Sequence, residues 1–190
     1  MANRDSQPLS QDGSVLRLHV ATRAVHADDE ARVGTESFHY SRISAPNSTR
    51  FETVLSNIVD QPSITYSSGL AAFHAAMVLL NPDKIFMGDV YHGCQKIVGL
   101  LTGLTGLRRL PLERLEELGP RDVLYIETPV NPTGEAVNLS YFKERASAAG
   151  AYLVVDSTFA PPPLQNPFAF GADIVLHSGT KYFGGHSDML

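Results

Sequence analysis

This sequence has one cysteine, no long apolar run and no block of basic residues. A single cysteine excludes an intrachain disulfide and fits a reducing compartment. No apolar stretch approaches the roughly 20 residues of a membrane-spanning helix, and residues 1–13 are polar rather than signal-like. The net charge of −5 argues against nucleic acid or an anionic membrane as a partner. We therefore expect a cytoplasmic protein.

The chain is long enough for a full hydrophobic core. At 190 residues and 43% hydrophobic content, such a chain buries roughly 70% of its unfolded surface. Residues 1–46 contain no long periodic segment and are predicted to form a tail and an extended arm. Residues 47–190 show no internal repeat and no linker, so we predict one domain there.

Short apolar runs alternate with helical patterns along that domain. A helix capped by Asn47 or Ser48 is predicted to continue through Ile58. The predicted strands are Ser63–Tyr66, Lys84–Met87, Arg108–Leu110, Val123–Glu127, Tyr152–Asp156 and Asp173–His177. The further predicted helices are Gly69–Leu80, Gly93–Leu104, Leu112–Glu117 and Leu139–Ala149. This alternation predicts a three-layer α/β/α fold with a mostly parallel sheet.

Polar residues follow the predicted strands at their carboxyl ends, where parallel sheets bind ligands. Ser67–Gly69 follows the first strand, Thr128–Asn131 follows the fourth, Asp156 ends the fifth, and Ser178–Lys181 follows the last. Seven histidines are present, but their spacing does not match a metal-ligand motif, so we expect no metal.

Lys181 is the most informative of these residues. A buried lysine at a strand end is predicted to have a lowered pKa, which suits Schiff-base chemistry. Asp156 would contact a pyridine nitrogen, and Ser178 and Thr180 would donate to a phosphate. Together these residue types suggest pyridoxal 5′-phosphate as cofactor.

Several motifs resemble the Cys/Met-metabolism family of pyridoxal phosphate enzymes, which includes cystathionine γ-synthases, cystathionine lyases and O-acylhomoserine sulfhydrylases. The resemblance covers about Thr22 to Leu190. Within the family, the residues of these motifs are most similar to those of the fungal γ-synthase-like branch. It implies the large domain of a fold-type I transferase, without the C-terminal small domain. The motifs are Tyr40-Ser41-Arg42, Ala45–Arg50, Tyr91-His92-Gly93-Cys94, Asp156–Ala160, Ala160–Gln165, Ser178–Tyr182 and Gly185–Asp188.

The resemblance also implies roles for individual residues. Ser68, Gly69 and Leu70 match a phosphate-binding turn, whereas alone they would indicate a helix cap. Tyr91 matches a tyrosine that stacks on the cofactor ring and takes part in proton transfer. Asn131 matches an asparagine near the ring hydroxyl and the substrate carboxylate, although alone it would indicate a turn.

Asp156 and Thr158 match the segment beside the ring nitrogen, although a strand-end aspartate is often only a turn cap. Lys181 matches the lysine that bonds the cofactor aldehyde and then moves protons on the substrate. Tyr40 and Arg42 match a pair that reaches the phosphate of a neighbouring subunit, which implies a homodimer or homotetramer. The alternative for Arg42 is an ordinary loop arginine.

The chain departs from the family pattern at three places. The family commonly has Tyr-Gly-Gly-Thr where this chain has Tyr91-His92-Gly93-Cys94, and many relatives have Asn at the position of Ser157. The arm at residues 28–39 is also short. Cys94 is expected to be a buried structural thiol, and its place near the site makes it a candidate for covalent modification.

For the reaction, the resemblance implies γ-replacement on an O-acylhomoserine-like amino acid through a vinylglycine-type ketimine, with a sulfur or carbon nucleophile. A cystathionine β- or γ-lyase is the alternative, because Tyr91, Asp156 and Lys181 serve elimination equally well. A hypothesis of another class also stays open. Family members continue for a comparable length past the lysine, so the chain as given is either an enzyme or a catalytically incomplete cofactor-binding fragment.

Overall fold

The computed structural model describes residues 45–186. The predicted arm with Tyr40 and Arg42, and the end of the predicted Gly185–Asp188 motif, lie outside these residues. The described helices are α1 (Pro46–Val59), α2 (Gly69–Leu80), α3 (His92–Thr105) and α4 (Leu139–Ala149). Two short 3₁₀ segments follow β2 and β4, at Leu112–Glu117 and Pro167–Phe170.

Five strands form one parallel sheet in the order β2-β1-β3-β4-β5. They are β1 (Lys84–Met87), β2 (Arg108–Leu110), β3 (Val123–Glu127), β4 (Tyr152–Asp156) and β5 (Ile174–Leu176). All carboxyl ends therefore meet at one edge of the sheet. The predicted parallel sheet is confirmed.

Side chains of the central strands alternate between two cores, as the two-residue period of a strand requires. Tyr125 and Val123 pack with Phe73 of α2 and Val98 of α3 on one face. Leu124 and its neighbours pack with α4 and the first 3₁₀ segment on the other face. Helices thus cover both faces, and the predicted three-layer α/β/α architecture is confirmed.

The predicted strand Ser63–Tyr66 is wrong. This segment runs along α1 instead of joining the described sheet, since Thr65 donates both its backbone N–H and its hydroxyl to the Glu52 carboxylate, each over 2.8 Å. Ser63 N–H donates to the Ser56 hydroxyl over 2.9 Å. These side-chain acceptors satisfy backbone groups that a sheet would otherwise bind.

Other elements also differ from prediction. Helix α1 begins after Ala45, with Pro46 in its first turn, and the Ser48 hydroxyl donates back to the Ala45 carbonyl instead of capping. Leu112–Glu117 is a 3₁₀ segment with a kink at Arg114 rather than an α-helix. The last strand ends at Leu176, so the lysine segment begins sooner than expected.

No helix in the described range is both long and apolar enough to cross a membrane.

Candidate functional site

The amino end of α2 forms one side of the site. The Ser68 hydroxyl caps the helix by accepting from Ala71 N–H over 3.1 Å. The first N–H groups of a helix have no intrahelical acceptor, so Gly69 and Leu70 offer donors to an anion, and the helix dipole adds to the attraction. A β carbon on Gly69 would lie 3.4 Å from that of Ser178. The predicted phosphate turn and the lysine segment are therefore in contact.

Two turns at the carboxyl edge are tied together by hydrogen bonds. Ser178 N–H donates to the Thr158 hydroxyl over 2.9 Å, and Ser157 N–H donates to the Leu176 carbonyl over 3.0 Å. Farther along, the ring of Phe159 meets that of Tyr182 edge-on at 6.1 Å. The turn after β4 thus fixes the turn after β5, which contains Lys181.

Lys181 itself is exposed, so its predicted burial is wrong. It lies in a turn beyond β5, which is the last strand at that side of the described sheet, and no strand end encloses it. Its backbone is fixed, since its N–H donates to the Ser178 carbonyl over 3.2 Å and its carbonyl accepts from Gly185 N–H over 2.7 Å. Thr180 precedes it and is half-buried. The amine is therefore accessible to a small molecule.

Asp156 ends β4 with both carboxylate oxygens engaged. Oδ1 accepts from Thr158 N–H over 3.0 Å, and Oδ2 accepts from the Tyr125 hydroxyl over 3.0 Å. Each carboxylate oxygen can accept a further hydrogen bond. The half-buried Asp156 is therefore held in one orientation while it keeps the capacity to accept from a ligand N–H.

Tyr91 lies close to the phosphate turn because Gly93 has no side chain. A β carbon on Gly93 would be 2.6 Å from the Tyr91 ring and 2.8 Å from the Leu70 side chain. Tyr91 is 40% exposed, and its ring is tilted against the His92 ring at 4.5 Å. Tyr91 is thus brought beside Leu70, with part of its ring available to a ligand.

Glu127 is a residue that our sequence interpretation missed. Its carboxylate accepts from Tyr91 N–H over 2.7 Å and from Asn131 N–H over 2.8 Å, and it is 5% exposed. Burial is the main cause that raises its pKa, and the two N–H donors oppose the shift. An acidic residue at the end of the otherwise apolar strand Val123–Glu127 was the available signal. The Asn131 side chain is exposed.

The loops held by Glu127 lie where the sheet changes direction. The chain leaves β1 through α3 to β2 on one side, and it leaves β3 through α4 to β4 on the other side. In open parallel sheets, ligands bind in the crevice at such a point. Tyr91 and Asn131 follow these two strands, so the structure places both predicted residues at this crevice.

His177 also lies at this edge. Its Nδ1 is buried without a hydrogen-bond partner, and its ring meets Phe183 edge-on at 5.0 Å. Burial lowers its pKa and favours the neutral ring, although Asp156 opposes this shift. Within residues 45–186, no three His, Cys, Asp or Glu side chains cluster in a way that could hold a metal ion.

These residues fit the parts of pyridoxal 5′-phosphate. The α2 terminus beside Ser178 suits a phosphate, the Asp156 carboxylate suits a protonated ring nitrogen, and the exposed Lys181 amine suits an aldehyde. The three groups come from segments far apart in sequence, yet all lie at the carboxyl edge of the sheet.

Comparison with known proteins agrees with this chemistry. Residues 3–190 match the family model described as "Cys/Met metabolism PLP-dependent enzyme". The chain is 36% identical over 163 residues to a cystathionine gamma-lyase from Bacillus subtilis, which covers 80% of this chain and 43% of that protein. It is 37% identical over 165 residues to a cystathionine beta-lyase from Lactococcus lactis subsp. cremoris, with 82% and 43% covered.

A solved structure is similar as well. It is the cystathionine gamma synthase from Xanthomonas oryzae pv. oryzae in complex with aminoacrylate and cysteine, at 28% identity and a TM-score of 0.75. The alignment covers 90% of this chain and 47% of that one. The chain therefore spans less than half the length of these relatives.

Proposed function

This chain belongs to the Cys/Met metabolism PLP-dependent enzymes, and from that membership we propose that it supplies the cofactor-binding part of an enzyme that replaces the γ-substituent of an O-acylhomoserine-like amino acid. Pyridoxal 5′-phosphate is the cofactor of this family. The observation that carries the proposal is the contact of Gly69 with Ser178 beside the tethered turns that hold Asp156 and Lys181. These turns bring the start of helix α2, a carboxylate and an amine to one edge.

In this proposal, Gly69 and Leu70 donate backbone N–H groups to the phosphate, and the hydroxyls of Ser68, Ser178 and Thr180 add donors. Phosphate binding at a helix start needs no charged side chain, because the N–H groups and the dipole supply the attraction. Tyr40 and Arg42 of a neighbouring subunit would add a phenol and a bidentate cation. The catalytic unit is then a homodimer or homotetramer in the cytoplasm.

Asp156 accepts from the ring nitrogen and keeps it protonated, with Thr158 fixing the carboxylate. A charge-assisted hydrogen bond of this kind is worth about 1.5–3 kcal/mol. When bound, the cofactor supplies an electron-withdrawing ring that stabilises negative charge at the substrate α carbon. Asp156 therefore increases the acidity of the substrate Cα–H.

Lys181 holds the cofactor aldehyde and, once the substrate amino group has displaced it, accepts and returns protons at the substrate carbons. Its exposed side chain suits a group that must move between positions. Tyr91 stacks on the ring and assists proton transfer through its phenol. In this proposal, Asn131 contacts the ring hydroxyl and the substrate carboxylate.

Replacement is proposed first because the solved γ-synthase, similar over 90% of this chain, holds cysteine. Elimination by a β- or γ-lyase is the second candidate, and the two bacterial lyases support it because their sequences are 36% and 37% identical to this one. The two reactions share the cofactor, Asp156 and Lys181, and they differ in whether a nucleophile adds after the leaving group departs.

The first experiment tests the cofactor and the lysine together. We expect the purified chain to show a visible absorption band with pyridoxal phosphate, and we expect borohydride to abolish the band. Peptide mapping should then find a reduced pyridoxyl adduct on Lys181, and K181A should carry none. An adduct on another lysine, such as the exposed Lys96, would contradict the assignment.

Substrate trials separate the two reactions. Replacement predicts a thioether product from an O-acylhomoserine and cysteine, whereas elimination predicts a keto acid and a thiol from cystathionine. Because the chain spans less than half of its relatives, each trial is run on the 190-residue chain and on a chain extended past Leu190. Turnover by the extended chain alone would identify the 190 residues as a cofactor-binding fragment.

A further inference from the structure

Tyr125 links the predicted cofactor carboxylate to the core. It lies in the central strand β3 and is fully buried. Its hydroxyl oxygen is 3.0 Å from Oδ2 of Asp156 and 3.6 Å from the sulfur of Cys94. Three side chains from β3, β4 and α3 thus form a continuous hydrogen-bonded chain that ends at the site.

The direction of this chain follows from its chemistry. An ionised carboxylate only accepts, so the Tyr125 hydroxyl donates its single proton to Asp156. The phenol oxygen is then left to accept from the Cys94 S–H. Burial raises the pKa of Tyr125 well above its ordinary value and that of Cys94 to about 11. Both groups therefore remain protonated donors across the physiological range.

The ring of Tyr125 is held independently of its hydroxyl. Phe73 of α2 meets it edge-on at 5.0 Å, and the surrounding core is apolar. A phenylalanine would keep this packing and lose only the hydroxyl's hydrogen bonds to Asp156 and Cys94. The hydroxyl is therefore not needed to fill the core. What tyrosine adds over phenylalanine at the site is its hydrogen bond to Oδ2 of Asp156.

We propose that Tyr125 is a positioning residue: its hydroxyl, supported by the Cys94 thiol, orients the Asp156 carboxylate toward the ring nitrogen of the cofactor. Thr158 N–H holds Oδ1 and Tyr125 holds Oδ2, so the carboxylate plane is fixed from two sides. The inference rests on the proposed cofactor role of Asp156.

The test compares two ligands with three variants. Pyridoxal phosphate has the ring nitrogen, and its 1-deaza analogue has a carbon there. We expect Y125F to weaken pyridoxal phosphate binding about tenfold, as loss of a hydrogen bond to a charged group does. C94A should weaken it about two- to threefold. Y152F is the matched control, because Tyr152 begins β4 at the opposite edge, roughly 13 Å from Asp156.

The 1-deaza analogue distinguishes a positioning role of Tyr125 from a general structural role. Without a ring nitrogen there is no N–H for Asp156 to accept, so Y125F and wild type should bind the 1-deaza analogue equally. The ¹⁵N resonance of ring-labelled pyridoxal phosphate should move toward the unprotonated position in Y125F. Far-UV circular dichroism checks that each variant is folded.

Two outcomes would overturn the inference while leaving the proposed function intact. Equal binding of pyridoxal phosphate by Y125F and wild type, with an unchanged ¹⁵N resonance, would show that the hydroxyl does not act on Asp156. Equal loss of both ligands would assign Tyr125 a structural role only. A wild-type chain that binds neither ligand would instead overturn the proposed function, and this inference with it.

Discussion

Gly69 and Ser178 face each other across the site: a β carbon on Gly69 would lie 3.4 Å from the Ser178 β carbon and 3.7 Å from its hydroxyl. These are ordinary van der Waals distances, so the protein alone has room for a methyl group there. The residues come from opposite ends of the described chain. Their contact joins the helix start that offers N–H donors to the turn that contains Lys181.

This contact predicts that G69A folds normally and binds phosphate poorly. The added methyl group fits against Ser178 but occupies the approach to the α2 N–H groups. We expect an unchanged melting temperature and at least tenfold weaker pyridoxal phosphate binding, measured by absorbance titration. G103A is the control, because a β carbon there meets nothing within 4 Å, so it should leave binding unchanged. Normal affinity in G69A would place the phosphate elsewhere.

Glu127 predicts a pH dependence of stability. Burial raises its folded-state pKa above the ordinary value of 4.5, so folding favours its protonated form. Its contribution to the free energy of unfolding is fully present below the unfolded-state pKa and is lost as pH rises through the higher folded-state pKa.

We expect the difference in unfolding free energy between wild type and E127Q to fall as pH rises from about 4 and then to level off. Urea denaturation at several pH values measures it. E113Q, which removes an exposed carboxylate from the first 3₁₀ segment, is the control for the loss of a negative charge. A difference between wild type and E127Q that does not vary with pH would contradict the assignment.

Cys94 should be unreactive in the folded chain. It is 4% exposed, and burial raises its pKa to about 11, so the thiolate that reacts with disulfides is scarce at neutral pH. We expect slow labelling by a dithiobis-nitrobenzoate reagent in buffer and rapid labelling in urea. Since Cys94 is the only cysteine, all label reports on it. Rapid labelling of the native chain would contradict the burial of Cys94 and support Cys94 as a site of covalent modification.

A destabilising substitution at the amino-end edge of the sheet tests whether a loss of stability also weakens cofactor binding at the carboxyl edge. Asp122 is 2% exposed, pairs with the Lys84 amine at 2.9 Å and accepts from Gly119 N–H over 2.8 Å. D122A leaves the Lys84 charge without its partner and should cost about 3–5 kcal/mol. Chemical denaturation measures the loss. The folded fraction should bind pyridoxal phosphate as wild type does, and weaker binding would show that the two edges are coupled.

Much of the fold could be predicted because the apolar runs of this chain have the length and the composition that buried strands require. Four strands, β1 to β4, have the bounds expected from their apolar runs. Ser63–Tyr66 has the same β-branched and aromatic composition, but Glu52 on α1 binds its backbone. That competition comes from a side chain 13 positions away, and no local pattern in residues 63–66 reveals it.

Site residues could be proposed from the sequence where their chemical type suggested a role, and not where contacts in three dimensions are needed. Lys181 and Asp156 stood out as lysine and aspartate beside hydroxyl residues. Glu127 and Tyr125 looked like an ordinary strand end and an ordinary core aromatic, and only the structure shows their hydrogen-bond partners. The exposure of Lys181 likewise depends on where β5 ends.

The order of strands in the sheet has a consequence for how the site forms during synthesis. Gly69 leaves the ribosome before Lys181, and in the described sheet β5 pairs with β4 alone. Contacts between segments so distant in sequence form late in folding, because closing a long loop costs entropy first. Nascent chains that lack β5 would have the helix start of α2 and Asp156 without the lysine. Covalent capture of the cofactor would therefore report that the last strand has docked.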